Sequence, residues 1–374
     1  MADYDSGVSV PSYASGLSDP EPLSRRYTTM LVAGLSLIAL TCVALLLPMP
    51  YVTMKPGPVF NTLGDFPDNG KPTIAFGSGV KTYPTSGTLD FTTVRVSNAD
   101  NHVNFGGVIA GFFNKNVAVV PRSLIYPDGQ SEKSSTQQSA AQLDSSKDSS
   151  RVAALRAAGY KVTGVPVIAG IVKGGAAAGK LRTGDIVNAV NGVTLTTDEA
   201  LVKAVAAHKP GDTIKVTFTR DGEKQTASIV TKPDADNPKL PRIGVTLGTK
   251  YRYPFKVDNN VGRSIGGPSA GTMFALAIYD KLTPGSLTGG RKIAGTGEME
   301  TDGTVAPIGG IRQKMAGAHH AGVQIFLVPA ANCAEATDGD DFGMKLVKIS
   351  TLKDAISSLE ALASDKSAKV PACS

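Results

Sequence analysis

The sequence predicts an α+β protein preceded by one membrane-spanning helix. Three observations predict it. An uncharged apolar run, Met30 to Leu47, lies near the N-terminus and has about the length needed to cross a bilayer. Short strand-like runs alternate with helical patterns over the remainder, as in Thr88 to Val96 and Asp198 to His208. A Gly-rich loop, Gly266 to Gly271, runs directly into the apolar, Ala-rich stretch Thr272 to Tyr279, which reads as a buried helix.

The 374 residues leave room for two or three domains. A net charge of +6 is carried by scattered basic residues with no aromatics interleaved among them, which argues against nucleic-acid binding. No His-Glu-x-x-His or Cys-x-x-Cys pattern occurs, so neither a metal nor a cofactor is expected.

Taken in order, residues 1–26 are rich in Ser, Asp, Pro and Gly and read as a disordered cytoplasmic tail. The transmembrane helix is expected over 27–50, ended by Pro48 and Pro50. Arg25 and Arg26 place its N-terminal side in the cytoplasm and everything from Tyr51 onward outside. No Ala-x-Ala-like site follows the run, which disfavours a cleaved signal peptide. Residues 51–150 read as β-rich, with Ser131 to Gln142 an exposed polar loop and a helix capped near Asp144 that Gly159 ends. Outside the cytoplasm Cys333 and Cys373 could pair or stay as thiols; Cys42 lies in the apolar run.

Residues 151–232 form a unit of their own. Val165 to Val172 reads as a strand, a helix spans Asp198 to His208, and Asp221-Gly222 marks a hairpin. Gly174 to Lys180 fits the start of a phosphate-binding loop. Leu181 stands where that loop needs Ser or Thr, so the match is rejected. Pro233 to Pro241 is a linker, 242–362 a second domain closed by a helix from Asp354 to Leu362, and 363–374 a tail.

The chemistry is expected in the second domain. Ser269 sits where a loop becomes a helix N-terminus, so backbone donors beside it, as at Ala270, could hold an oxyanion. Gly267 is part of the loop that places it. Lys314 falls near the start of another helix among apolar neighbours, which disfavours its charged form and suits it to act as general base. Gly-Pro-Ser-Ala-Gly also fits the elbow of α/β-hydrolases, formally with Asp302 and His319. An elbow follows an apolar strand, whereas Lys256 to Ile265 is polar and Gly-interrupted. His319 and His320 are adjacent and cannot share a metal; both read as partly exposed helix residues.

Three ordered blocks carry a family resemblance: Gly267 to Gly271, Thr296-Gly297-Glu298, and Pro307 to Lys314. They resemble the proteolytic domain of Lon proteases, as does the 45-residue separation of Ser269 and Lys314. The resemblance implies a Ser–Lys dyad with Ser269 as nucleophile, Lys314 as base and Thr296 supporting the lysine. Gly179 to Val187 and Asn191-Gly192 resemble a PDZ domain of the bacterial protease-associated type. That resemblance implies a groove that takes an extended peptide as an added strand, with Val165, Val167 and Ile168 as the candidate edge. The combination is similar to membrane-anchored, PDZ-containing Lon-like proteases. It implies an ATP-independent endopeptidase acting on extracytoplasmic proteins, with protein or peptide substrates. It also suggests a ring-shaped homo-oligomer, a hexamer among the candidates, and in that family the early strands can join the protease domain. The competing reading is a silent peptide-binding or scaffold protein at the membrane.

Overall fold

The computed structural model describes residues 24–98, 103–127 and 131–373. The tail expected over residues 1–26 lies outside the described residues as far as residue 23, and Arg25 already begins a helix. That helix, α1 (Arg25–Leu46), has 22 residues, none of them buried, and spans about 33 Å at the usual rise. It is long and apolar enough to cross a membrane. Pro48–Met49 follows and pairs with Val103–Asn104.

Beyond it the chain builds β1 (Tyr51–Asn61), β2 (Thr88–Val96), α2 (Phe105–Phe112), β3 (Ala118–Pro121) and α3 (Glu132–Ala157). A five-stranded stretch follows: β4 (Thr163–Ile171), β5 (Ile186–Val190), helix α4 (Asp198–Ala206), β6 (Thr213–Arg220), β7 (Glu223–Val230) and β8 (Val245–Arg252). The last part supplies α5 (Gly271–Leu282), β9 (Lys292–Gly295), α6 (Ile311–His320), β10 (Ile325–Pro329), β11 (Lys345–Ile349) and α7 (Leu352–Ser364).

The first sheet has the order β11-β10-β9-β2-β1-β3. Strands from the early chain and from the end of the chain thus share one sheet. β9 runs parallel to both β2 and β10, and β10 parallel to β11. Every residue of β10 is buried, as a parallel strand covered on both faces requires. α5 packs here: Phe274 meets Phe91 edge-on at 5.4 Å, and Phe91 stacks on Phe60 at 5.2 Å. Truncating a fully buried Phe such as Phe274 costs about 3–5 kcal/mol. α7 starts with a capping box in which Thr351 and Asp354 satisfy each other's backbone amides.

The second sheet has the order β7-β6-β5-β4-β8. It lies in the chain between the two contributions to the first sheet. Inside it Asp185 is buried and held by Arg220 through two bonds of 2.8 and 2.7 Å. Burial by itself would raise this carboxyl; the Arg220 guanidinium and the Arg182 amide hold it below the usual carboxylate range.

Three expectations need correction. The polar loop expected over Ser131 to Gln142 is helical, because α3 starts at Glu132 with Ser131 as its cap. None of residues 132–142 is buried, so no apolar period marks that half of the helix. The boundary at 242 also falls early. Val245–Arg252 pairs along its length with β4, so the second sheet extends through Arg252. The C-terminal stretch expected as a tail is tied down, with Lys348 donating to Pro371 and Cys373 joined to Cys333 in a disulfide.

Candidate active site

Ser269 stands at the junction of a loop with α5. Gly267 adopts φ +84°, which ordinary side chains reach only at a cost, and its amide donates to the Ser139 carbonyl at 2.9 Å. The Pro268 carbonyl accepts from Ser146 Oγ at 2.8 Å. The Ser269 carbonyl accepts from Thr296 Oγ1 at 3.0 Å and from the Gly297 amide at 2.9 Å. The backbone is therefore fixed on both sides of Ser269. Buried Ala270 is the residue before the helix. The amides of Ser269 and Ala270 find no acceptor among the described residues, as donors kept for an oxyanion would.

Lys314 comes from the first turn of α6, where Gly310 caps the helix in a left-handed conformation. Its side chain is buried, at 2% exposure. Nζ lies 2.9 Å from Ser269 Oγ and donates to the Thr92 carbonyl of β2, also at 2.9 Å. No acid is paired with it among the described ion pairs. Burial alone lowers its pKa from 10.5 to about 7. With one N–H spent on Thr92, the lone pair of a neutral amine can receive the Ser269 proton.

The structure thus brings Ser269, Lys314, Ala270, Gly267 and Thr296 together. Thr296 differs in its contact. Its hydroxyl binds the Ser269 carbonyl, and the lysine is steadied by Thr92, which the sequence did not single out because the group used is a main-chain carbonyl. Asp302 and His319 lie outside the cleft. Asp302 closes a turn onto Thr304, and His319 is exposed and stacked on Phe342 at 5.1 Å.

The cleft around the pair has a volume of about 650 Å³. Phe60, Ile265 and Ile308 give it apolar wall, and Asp68, Arg95 and Glu298 bring charge. Burial, with Glu300 nearby, pushes the Glu298 carboxyl above the usual range. Glu298 was visible as part of a motif but not as a cleft residue.

The second sheet carries another cleft, also about 650 Å³, between Leu201, Val202 and Val205 of α4 and Val245 and Leu247 of β8. Its edge strand is β8, at the end of the sheet order. Val165, Val167 and Ile168 are a correction here. Their strand, β4, is paired with β8 from Thr163 to Ile171 and meets β5 at Val167, with Ile168 bonded to Asp185 and Gly184. An added strand has no edge to join there. The sequence misled because the groove strand follows the rest of the unit in the chain.

Comparison with known proteins finds two family matches, the first of which ends before β8. Residues 138–231 match the model of the PDZ domain, and residues 263–359 match that of the Lon protease (S16) C-terminal proteolytic domain. A Lon protease of Clostridioides difficile is 34% identical over 144 residues, 37% of this chain and 17% of that protein. Lon protease 1 of Sorangium cellulosum is 46% identical over 72 residues, 19% of this chain and 9% of that protein. The Lon protease of Phenylobacterium zucineum is 29% identical over 155 residues, 40% of this chain and 19% of that protein. The chain therefore spans less than a fifth of each of these relatives. Among solved structures, the PDZ domain of an SdrC-like protein from Listeria monocytogenes is 23% identical with a TM-score of 0.21, covering 22% of this chain and 86% of that one.

Proposed function

We propose that this chain, which carries a Lon-type serine-protease domain and a PDZ domain, is an ATP-independent endopeptidase of extracytoplasmic proteins. The observation that carries this reading is the 2.9 Å approach of Lys314 Nζ to Ser269 Oγ, with the amine brought to about 7 by burial. Neutral Lys314 takes the hydroxyl proton as Ser269 Oγ attacks the substrate carbonyl. The Ser269 and Ala270 amides steady the oxyanion, and the lysine returns the proton to the leaving amine. Water, deprotonated by the same amine, then frees the acyl group.

Placement outside the cytoplasm is favoured by the Cys333–Cys373 disulfide and by Arg25-Arg26 before a helix fit to span the membrane. The PDZ domain would take an extended peptide along β8, against the apolar face of α4. Independence from ATP is in keeping with the Gly174 to Lys180 turn, whose next residue, Leu181, is buried in the PDZ core.

The test is cleavage of an unfolded protein such as casein by the purified full chain without nucleotide. Ser269→Ala and Lys314→Ala should each abolish cleavage while leaving thermal unfolding cooperative. Full cleavage by either variant would overturn the dyad.

A further inference from the structure

The junction between α1 and the protease domain leaves a set of large apolar side chains in the open. Phe112, Phe113 and Leu124 are 71%, 86% and 73% exposed, and Phe105 and Ile109 are partly so. They belong to α2, the residue after it, and the short helix Arg122–Ile125 beyond β3. α2 has the sequence FGGVIAGF, without a charge. A group of exposed side chains this large marks a contact surface.

The partner is argued from what adjoins them. α2 packs against the end of α1: the Phe105 amide donates to the Leu47 carbonyl at 2.9 Å, and Gly106 lies against the backbone and side chain of Leu45. Pro48–Met49 and Val103–Asn104 pair beside them. The patch is thus continuous with the last turn of the helix proposed to span the membrane, where Leu46 and Leu47 are themselves exposed. The charge within this stretch is positive, with Glu132 the acid that acts on Tyr126 at its edge. Between Val103 and Pro127 the charged residues are Lys115 and Arg122, with no Asp or Glu, and the neighbouring strand β1 adds Lys55. Arg122 lies over the Tyr126 ring, a pairing of cation and amphipathic aromatic suited to a headgroup layer.

We propose that α2 with Phe113 and Leu124 forms a second membrane contact, seated in the outer interfacial layer of an anionic bilayer beside α1. This inference rests on the membrane-spanning reading of α1. Two attachments rather than one fix the protease domain close to the lipid surface in a set orientation. The cleft is then offered to chain segments at or near that surface.

The full chain is reconstituted into vesicles of phosphatidylcholine and phosphatidylglycerol, in a Cys42→Ala background that removes the free thiol. An environment-sensitive fluorophore is attached in turn at Phe113→Cys, at Leu35→Cys in α1, and at Lys203→Cys on the exposed side of α4. Quenching by nitroxides on the lipid acyl chains is measured. A label roughly 5–10 Å into the interface should be quenched about tenfold more at position 113 than at 203. Strong quenching at 35 with position 113 behaving like 203 overturns the inference while leaving the span intact. Absence of quenching at 35 overturns the span and the inference together. A label at 113 shielded from both lipid nitroxide and aqueous iodide, with cross-linking between chains through that position, assigns the patch to a second copy and overturns it as well.

Discussion

Ser146 Oγ donates to the carbonyl of Pro268 at 2.8 Å, across 122 residues of sequence, and so ties helix α3 to the residue before Ser269. Ser150 Oγ repeats the connection one turn on, bonding the Gly271 carbonyl at 2.8 Å. Ser139 accepts from Gly267 near the start of the same helix. At its other end Arg151 and Arg156 lie over the rings of Tyr253 and Tyr251, the latter on the groove strand β8. One helix therefore touches both the loop that carries Ser269 and the edge strand β8.

The Ser146 and Ser150 hydroxyls are expected to position the loop without touching substrate. Ser146→Ala should lower kcat by roughly tenfold with KM little changed, and should cost about 0.5–1.5 kcal/mol because the part-buried Pro268 carbonyl loses its donor. Ser146→Thr keeps the hydroxyl and should recover part of the rate. Measured kcat and KM for both variants, beside their unfolding midpoints, check this.

The pH profile follows from Lys314. The base must be neutral, so kcat/KM should be low in acid and rise through about pH 7. The stability sign is worked from the same shift. The folded lysine loses its proton at about 7, while the unfolded one keeps it to about 10.5. Between those values the unfolded state holds more protons, so this group makes stability rise with pH across the window and level off above it. Lys314→Met removes the buried amine. It should abolish cleavage, remove the lysine's share of that pH dependence and leave the protein at least as stable at pH 7. Denaturant midpoints at pH 6, 8 and 10 check the sign.

Much of this site was legible before any coordinates. Ser269 and Lys314 were marked by a glycine loop entering a helix and by a lysine among apolar residues, both local signals. Thr92 was not legible, because its contribution is a carbonyl brought in by a strand more than 200 residues away in sequence. α3 was half hidden for a related reason. Its first half, to Gln142, buries no side chain and so shows no apolar period, while Ser146 and Ser150, in the half that reads as helix, are buried where they bond the loop at Ser269. The peptide groove was misplaced because strand order in a sheet is long-range. β8 is last of its unit in the chain yet forms an edge beside β4.

The groove can be tested without disturbing the core. Val202 of α4 is exposed and lines the cleft, whereas Leu201 beside it is buried. Val202→Glu should weaken binding of an apolar C-terminal peptide by about tenfold or more, about 1.4 kcal/mol, with the unfolding midpoint unchanged. Val165→Glu, on β4, should have a much smaller effect on affinity. Titration calorimetry on the two variants separates the assignments.

The Cys333–Cys373 disulfide joins Cys373 to the start of a short helix 40 residues back. Closing a loop of that size stabilises a fold by about 2–4 kcal/mol. Cys373→Ser, or reduction, should therefore lower the unfolding midpoint. Cleavage at low temperature should persist, because the residue that ties this segment to the cleft wall is Asn332, just before the helix. Its side chain accepts from the Ile308 amide and donates to the Ile308 carbonyl, both at 2.9 Å, and Ile308 lines the cleft. Asn332→Ala leaves both groups without partners and frees the wall beside Lys314, so it should lower kcat/KM even with the disulfide intact. Thermal melts and casein cleavage, run on both variants with and without reductant, distinguish the tether from the clamp: loss of activity on reduction equal to that in Asn332→Ala would mean that the disulfide, not the asparagine, holds the wall in place.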